Sequence, residues 1–205
     1  MSAIAANILV IMLHGVGSSG NDLAPLANSW KANLIGAVFA TPDAPSPSSF
    51  GSGYQWFSVA GVTENNRSER IHDARVSFDK VISSVIAENG FAENLHRVAF
   101  VGFSQGTILA LDAVASGRWP VGAVVGFSGR LASPLPLQPA LQTPILLVHG
   151  SADSVIPATE SSKAAATLRA LGVKVETLIL PGVPHTISAG GAARAGSFLA
   201  EAISK

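Results

Sequence analysis

The stretch Val98-Ala99-Phe100-Val101-Gly102-Phe103-Ser104-Gln105-Gly106-Thr107-Ile108-Leu109-Ala110-Leu111 is an apolar run, a serine with a glycine two places to either side, and a second apolar run. The first run has the length and composition of a buried strand, and the second reads as a helix. A strand that turns sharply into a helix lifts the residue at its apex clear of the backbone. Glycines two before and two after let other chain segments pass close to that strained turn. Gly102 to Gly106 therefore match the pattern G-x-S-x-G, which presents a serine hydroxyl at the end of a strand. In a chain with 20 glycines an ordinary strand-to-helix turn fits the same residues, so the context decides.

Outward from Ser104, short apolar runs alternate with longer amphipathic stretches. The runs predict strands at 7–13, 37–40, 98–101, 121–127, 145–148 and 173–180. They are apolar on successive residues, as strands buried on both faces require. Helices are predicted at 22–34, 69–88, 105–116, 158–171 and 188–203; in the second, Ile71, Val76 or Phe78, Ile82 and Val85 recur at helical spacing. Strand alternating with helix implies an α/β fold, a mostly parallel sheet of about six to seven strands with helices on both faces. No repeat or linker interrupts the 205 residues, which read as a single domain, 1–205.

Composition removes several function classes. Apolar residues make up 48% of the chain and charged residues 13%, with a mean hydropathy of +0.40. Thirteen basic residues balance thirteen acidic ones, and no basic cluster appears, so neither nucleic acid nor an anionic membrane is an expected partner. No apolar run approaches the length of a transmembrane helix, so stable membrane insertion is not expected. The absence of cysteine removes disulfides, thiolate metal sites and a thiol nucleophile together. Residues 1–13 lack a positive n-region and read as the first strand, not a signal peptide, which points to the cytoplasm.

Two loops stand out. From Thr41 to Ser68 the chain is rich in Pro, Gly and Ser yet carries Phe50, Tyr54, Trp56 and Phe57. A loop that long is either functional or a surface excursion pinned by its aromatics. After the first strand comes His14-Gly15-Val16-Gly17-Ser18-Ser19-Gly20, a literal G-x-G-x-x-G with Asp43 about twenty residues on, as in dinucleotide-binding turns. Against that reading, Asn21-Asp22 looks like the helix N-cap, which leaves the last glycine outside the helix, and Asp43 lies beyond Pro42, past the end of its strand. The rival reading needs only His14-Gly15 and the amides that follow, with the N–H of Val16 aimed at an oxyanion near Ser104. A plain turn is the third.

A serine hydroxyl becomes a strong nucleophile only beside a base, and that base needs an anion to fix its tautomer. His14 and His149 sit at strand ends beside a glycine, while His72 and His96 lie in or near helical segments and suit solvated roles. His185 stands just past the last strand in Leu180-Pro181-Gly182-Val183-Pro184-His185. In an open parallel sheet chemistry gathers beyond the carboxyl ends of the strands, which is where His185 falls. Asp153 holds the matching place after the preceding strand, although an aspartate there also caps turns. Ser104, Asp153 and His185 each follow a strand, in the chain order Ser, Asp, His that α/β-hydrolases use.

With these residues in view, the chain resembles the phospholipase/carboxylesterase group, which includes acyl-protein thioesterases, within the α/β-hydrolase superfamily. Leu13-His14-Gly15-Val16-Gly17 is similar to its L-H-G-x-G loop, Gly102 to Gly106 to its G-F-S-Q-G elbow, and His149-Gly150 to Pro157 to its H-G-x-x-D-x-x-x-P segment. Trp56-Phe57 resembles its W-F pair, and Ser128-Gly129-Arg130-Leu131 its S-G-x-L turn. Two residues depart: Thr107 stands where a second glycine is common, and Ser58 where an acidic residue often follows W-F.

The resemblance implies an α/β-hydrolase fold without a large lid domain, and a serine hydrolase of carboxylic esters or thioesters. Its substrate would be a small molecule or an acylated protein. Ser104 would be the nucleophile, His185 the general base and acid, Asp153 its orienting anion, and the N–H groups of Val16 and Gln105 the oxyanion hole. No metal or cofactor is called for. Trp56, Phe57 and Leu131 are candidates for an apolar substrate pocket, and each fits a core role equally well. A nucleotide-dependent oxidoreductase using loop 15–20, and a non-catalytic binding protein on the same scaffold, are the alternatives. No residue pattern sets the oligomeric state.

Overall fold

The structure, a computed structural model, describes residues 7–203. In chain order its strands are β1 (Ile8–Leu13), β2 (Ala37–Ala40), β3 (Ser46–Pro47), β4 (Tyr54–Gln55), β5 (Val98–Phe103), β6 (Ala123–Phe127), β7 (Ile145–Gly150) and β8 (Val175–Leu180). The helices are α1 (Ala24–Trp30), α2 (Arg67–Glu88), α3 (Gln105–Ala115), α4 (Thr159–Ala170) and α5 (Ala189–Ile203). Six strands form one sheet in the order β2-β1-β5-β6-β7-β8, and every pairing in it is parallel. This is the α/β-hydrolase architecture, with each predicted strand present. The reading of residues 1–6 as the lead into β1 lies outside the described residues. Among those residues no helix is long and apolar enough to cross a membrane.

The alternation along each strand sorts the core into two layers. Leu9, Ile11 and Leu13 of β1 join Phe100, Val124 and Leu147 in packing against α2, α3 and α4. Val10 and Met12 join Val101, Val125 and Val148 in packing against α1 and α5. On α2 the buried residues are Ile71, Ala74, Phe78, Ile82 and Ile86. Of the two residues the periodicity offered, Phe78 faces the core; Val76, 81% exposed, faces solvent.

Helix α3 is buried along its whole length, which forces its one charged residue, Asp112, into the interior. Both carboxylate oxygens are engaged. Arg75 from α2 donates from Nε (2.9 Å) and Nη2 (2.8 Å), and Arg118 donates from Nη1 (2.9 Å). Arg118 also forks onto Asp79, whose Oδ1 accepts the Trp119 indole N–H at 2.7 Å. Burial pushes the Asp112 carboxyl up, but the two guanidiniums outweigh it and hold the group below the ordinary carboxylate range. The helix that begins at the serine is thus tied to α2 by a desolvated ion pair.

Two local expectations are corrected. A 3-10 turn, Gly20–Leu23, leads into α1, and its N-cap is Ser19, not Asn21-Asp22. The Asp22 carboxylate reaches back to accept the Ser19 N–H (2.9 Å) and hydroxyl (3.2 Å), as a short residue in a first turn can. The long loop is not structureless: β3 and β4 pair antiparallel within it, with Pro47 opposite Tyr54.

Candidate active site

The sheet order sets where chemistry can sit. The chain leaves β1 toward β2 on one side and leaves β5 toward β6 on the other, so the crossovers diverge and open a crevice between the carboxyl ends of β1 and β5. The loop after β1 carries Gly15 to Gly20, and the turn after β5 carries Ser104.

Ser104 occupies the N-cap of α3 at φ 52° and ψ −112°, a conformation that costs a side-chain-bearing residue about 1–3 kcal/mol. The framework that holds it there is visible in the glycines. A Cβ at Gly102 would strike the Thr107 backbone, and one at Gly106 would overlap the Leu13 carbonyl of β1. The Ser104 N–H donates to the Phe127 carbonyl of β6 (2.9 Å), and the Thr107 hydroxyl donates to the same oxygen (2.8 Å). The Thr107 methyl meanwhile faces Gly126 and Gly129, where an added Cβ would meet it.

The three sequence-predicted residues converge. His185 Nε2 lies 3.0 Å from Ser104 Oγ, and His185 Nδ1 lies 2.7 Å from Asp153 Oδ2. Because the carboxylate only accepts, Nδ1 carries the proton and Nε2 is free to accept from the hydroxyl. Phe103 packs on the imidazole with ring centroids 5.0 Å apart. The loop bearing His185 rests on β7 at Gly150, where a Cβ would overlap the Val183 carbonyl.

Asp153 is held on both oxygens. Oδ1 accepts the N–H groups of Val155 and Ile156, both at 2.9 Å, while Oδ2 accepts from His185 and, at 3.1 Å, from His149 Nε2. Burial raises this carboxyl, yet the hydrogen bonds from His185, Ile156 and Val155 prevail and lower it. Asp153 and Asp112 both ionise more readily folded than unfolded. Their contribution is therefore present above the unfolded carboxylate value of about 3.9 and is lost as pH falls through the folded one. From these two groups thermal denaturation should show a midpoint insensitive to pH between about 7 and 5 and falling steadily below about 4.

Two histidines that the sequence offered as rival bases are structural here. His149 shares its Nε2 proton between Ile156 O (2.8 Å) and Asp153, and its Nδ1 accepts from the Ser161 hydroxyl at 2.7 Å. His14 accepts the Ala44 N–H at Nε2 (2.9 Å) and donates from Nδ1 to Gly15 O (2.7 Å). Sequence reasoning missed the first contact because it weighed His149 only against Ser104; the four-residue spacing from His149 to Asp153 was the available signal.

The loop after β1 lies against the serine. A Cβ at Gly15 would lie 3.2 Å from the Phe103 ring and 3.3 Å from Ser104 Cβ, so a larger residue there would have to push a neighbour aside by a few tenths of an ångström. Val16 follows it, and Gln105 begins α3, where a helix leaves its first N–H groups without intrahelical partners. Asp43, which a ribose-binding reading requires, accepts the Gly20 N–H at 2.8 Å and so braces the loop itself.

The pocket candidates separate. Trp56 is 2% exposed and packs edge-on to Phe78, with its indole N–H donated to His14 O at 2.9 Å; it is a core residue, and its bulk is unavailable to a ligand. Phe57 is also buried, at 8% exposure. Leu131 is half-buried and lines a cavity of about 190 Å³ with Arg67, Arg130, Ser133 and Glu160. A larger hollow of about 450 Å³, around Val121, Pro144 and Lys174, lies at the amino ends of β6 to β8, the opposite end of the strands from Ser104.

Comparison with known proteins agrees with this fold. Residues 2–203 match the family model described as phospholipase/carboxylesterase. The chain is 32% identical to the esterase YpfH of Escherichia coli (strain K12) over 183 residues, 89% of this chain and 77% of that protein. It is 29% identical to acyl-protein thioesterase 1 of Schizosaccharomyces pombe over 172 residues, 80% of this chain and 76% of that one. The crystal structure of esterase PE8 superposes with a TM-score of 0.89 at 32% identity, covering 97% of this chain and 94% of the other.

Proposed function

Since the chain belongs to the phospholipase/carboxylesterase family and is an ester-hydrolysing enzyme of carboxylesterase and thioesterase type, we propose that it works through an acyl-enzyme on Ser104. Ser104 Oγ attacks the acyl carbon as His185 Nε2 takes its proton. His185 then gives that proton to the departing alcohol or thiol. Asp153 keeps His185 in the required tautomer and stabilises the imidazolium. The Val16 and Gln105 N–H groups receive the charge that forms on the carbonyl oxygen. Water, deprotonated by His185, releases the acid and restores the hydroxyl, so atoms and charge balance without a cofactor.

The observation that carries this reading is the hydrogen-bonded run from Ser104 Oγ through His185 to Asp153 Oδ2, set on a strained turn at the sheet crevice. Residues 1–205 act as one catalytic domain, in the cytoplasm. Its substrate is a small ester or thioester, or an acyl group carried on a protein.

The test is direct. Wild-type protein is incubated with a fluorophosphonate probe, digested and mapped, while p-nitrophenyl acetate, butyrate and octanoate are assayed in parallel. The expected result is one probe on the peptide containing Ser104 together with turnover of the esters. A folded protein with neither labelling nor turnover would favour a non-catalytic scaffold.

A further inference from the structure

We infer that the segment Tyr54 to Phe57 is a strap that fixes the separation of the two oxyanion N–H groups, with the side chains of Trp56 and Gln105 as positioning residues. The inference rests on the reading of Val16 and Gln105 as the oxyanion donors. Those donors belong to different crossovers. The β1–β5 register aligns Leu13 with Gly102, but Val16 lies three residues beyond the end of β1, where the sheet no longer constrains the backbone. Something else must hold the two N–H groups at a common point.

The strap touches both sides. Toward the first loop, Gly17 N–H donates to Tyr54 O (2.9 Å) and Tyr54 N–H donates to Ser18 O (2.7 Å). Gly53 precedes the strap, and a Cβ there would overlap the carbonyls of both Gly17 and Ser18, so the contact is backbone on backbone. Toward the elbow, the Gln105 side chain bonds like a piece of neighbouring strand. Its Oε1 accepts the Trp56 N–H and its Nε2 donates to Phe57 O, both at 2.7 Å. The indole closes the figure by donating to His14 O at 2.9 Å, one residue before Gly15.

Gln105 therefore carries one oxyanion donor on its backbone and the tether to the other on its side chain. With Gln105 1% and Trp56 2% exposed, water has no access to replace either tether. A tryptophan recruited only to fill the core would need any acceptor for its N–H. This one uses the carbonyl at the root of the oxyanion loop.

Trp56→Phe keeps an aromatic ring in the core and deletes the donation to His14 O. Gln105→Met keeps the side-chain length and the backbone N–H but severs both tethers to the strap. Each variant is assayed for kcat and KM on p-nitrophenyl butyrate, and for Ki with a trifluoromethyl ketone, whose serine adduct puts an oxyanion in the hole. Removal of one oxyanion donor elsewhere costs about 100- to 1,000-fold, so displacement is expected to lower kcat about tenfold, raise Ki by the same factor and leave KM within about twofold.

General loosening of the fold would not make kcat and Ki move together at constant KM. Should Trp56→Phe fail to fold, Gln105→Met alone decides. The inference is overturned if the wild type turns over and labels at Ser104 while the folded variants keep kcat and Ki within about twofold. A loss of kcat with Ki unchanged overturns it too. Absence of turnover and labelling in the wild type would instead remove the reading of the site beneath it.

Discussion

Replacing Ser104 with alanine lowers kcat by about six powers of ten, the loss seen when the serine of an unrelated triad is removed. The substitution removes the hydroxyl that His185 Nε2 faces at 3.0 Å and leaves the Phe127 carbonyl contact of the backbone intact. KM should therefore change little, and the fluorophosphonate label should disappear. Glycine at the same position separates chemistry from strain. It abolishes turnover equally, yet relieves the positive φ of 52°. Against relief of about 1–3 kcal/mol stands the entropy of glycine, about 0.5–1 kcal/mol, so Ser104→Gly should be more stable than wild type by about 1 kcal/mol. Urea denaturation and the ester assay on the three proteins test both halves. An alanine variant within about tenfold of the wild-type kcat would end the assignment of Ser104 as nucleophile.

The second large effect is at Asp153. Asp153→Asn should lower kcat by about four powers of ten while changing no atom that meets the substrate. The direction of the amide is dictated by the turn. Oδ1 accepts two backbone N–H groups, from Val155 and Ile156, so the asparagine oxygen must take that place. The NH₂ then stands where Oδ2 now accepts from His185 and His149. His185 can answer only by moving its proton to Nε2, which turns the acceptor of the Ser104 proton into a donor. His149 has no such escape, because the Ile156 carbonyl keeps the proton on its Nε2, and an N–H is left facing an N–H. Denaturation should register that mismatch as a further loss of about 1–3 kcal/mol. Stopped-flow acylation with p-nitrophenyl acetate checks the kinetic part; a loss of less than about tenfold would show that tautomer control does not rest on Asp153.

How far the sequence reached depends on the range of the interaction involved. The four inner strands were readable because a parallel strand buried on both faces must be apolar at every position, as Ile8 to Leu13 is, whereas the edge strands β2 and β8 are only partly buried and β8 carries Glu176 and Thr177. The convergence of Ser104, Asp153 and His185 was readable because all three follow strands of one parallel sheet, which forces them to one edge. The pair β3 and β4 was not, since two residues per strand show no period and the pairing is set by contact with Gly17 and Ser18. Nor did the sequence disclose what the Gln105 side chain does, because its partners lie 48 and 49 residues away. For the same reason the Asp112 ion pair with Arg75, 37 residues distant, left no local trace. Val76 and Phe78 were equally periodic on paper, and only packing on the sheet chose between them.

The carbonyl of Phe127 and the two glycines near it limit which sequences can lead to or away from this one. The Thr107 methyl fills the space beside Gly126 and Gly129. A Cβ at Gly126 would fall 2.6 Å from that methyl. Alanine at 126 or 129 is therefore blocked while threonine stands at 107, and glycine at 107 opens a void unless a side chain appears opposite. The three positions form an epistatic set: Thr107 and the two glycines constrain one another although 19 and 22 residues separate it from them in the chain.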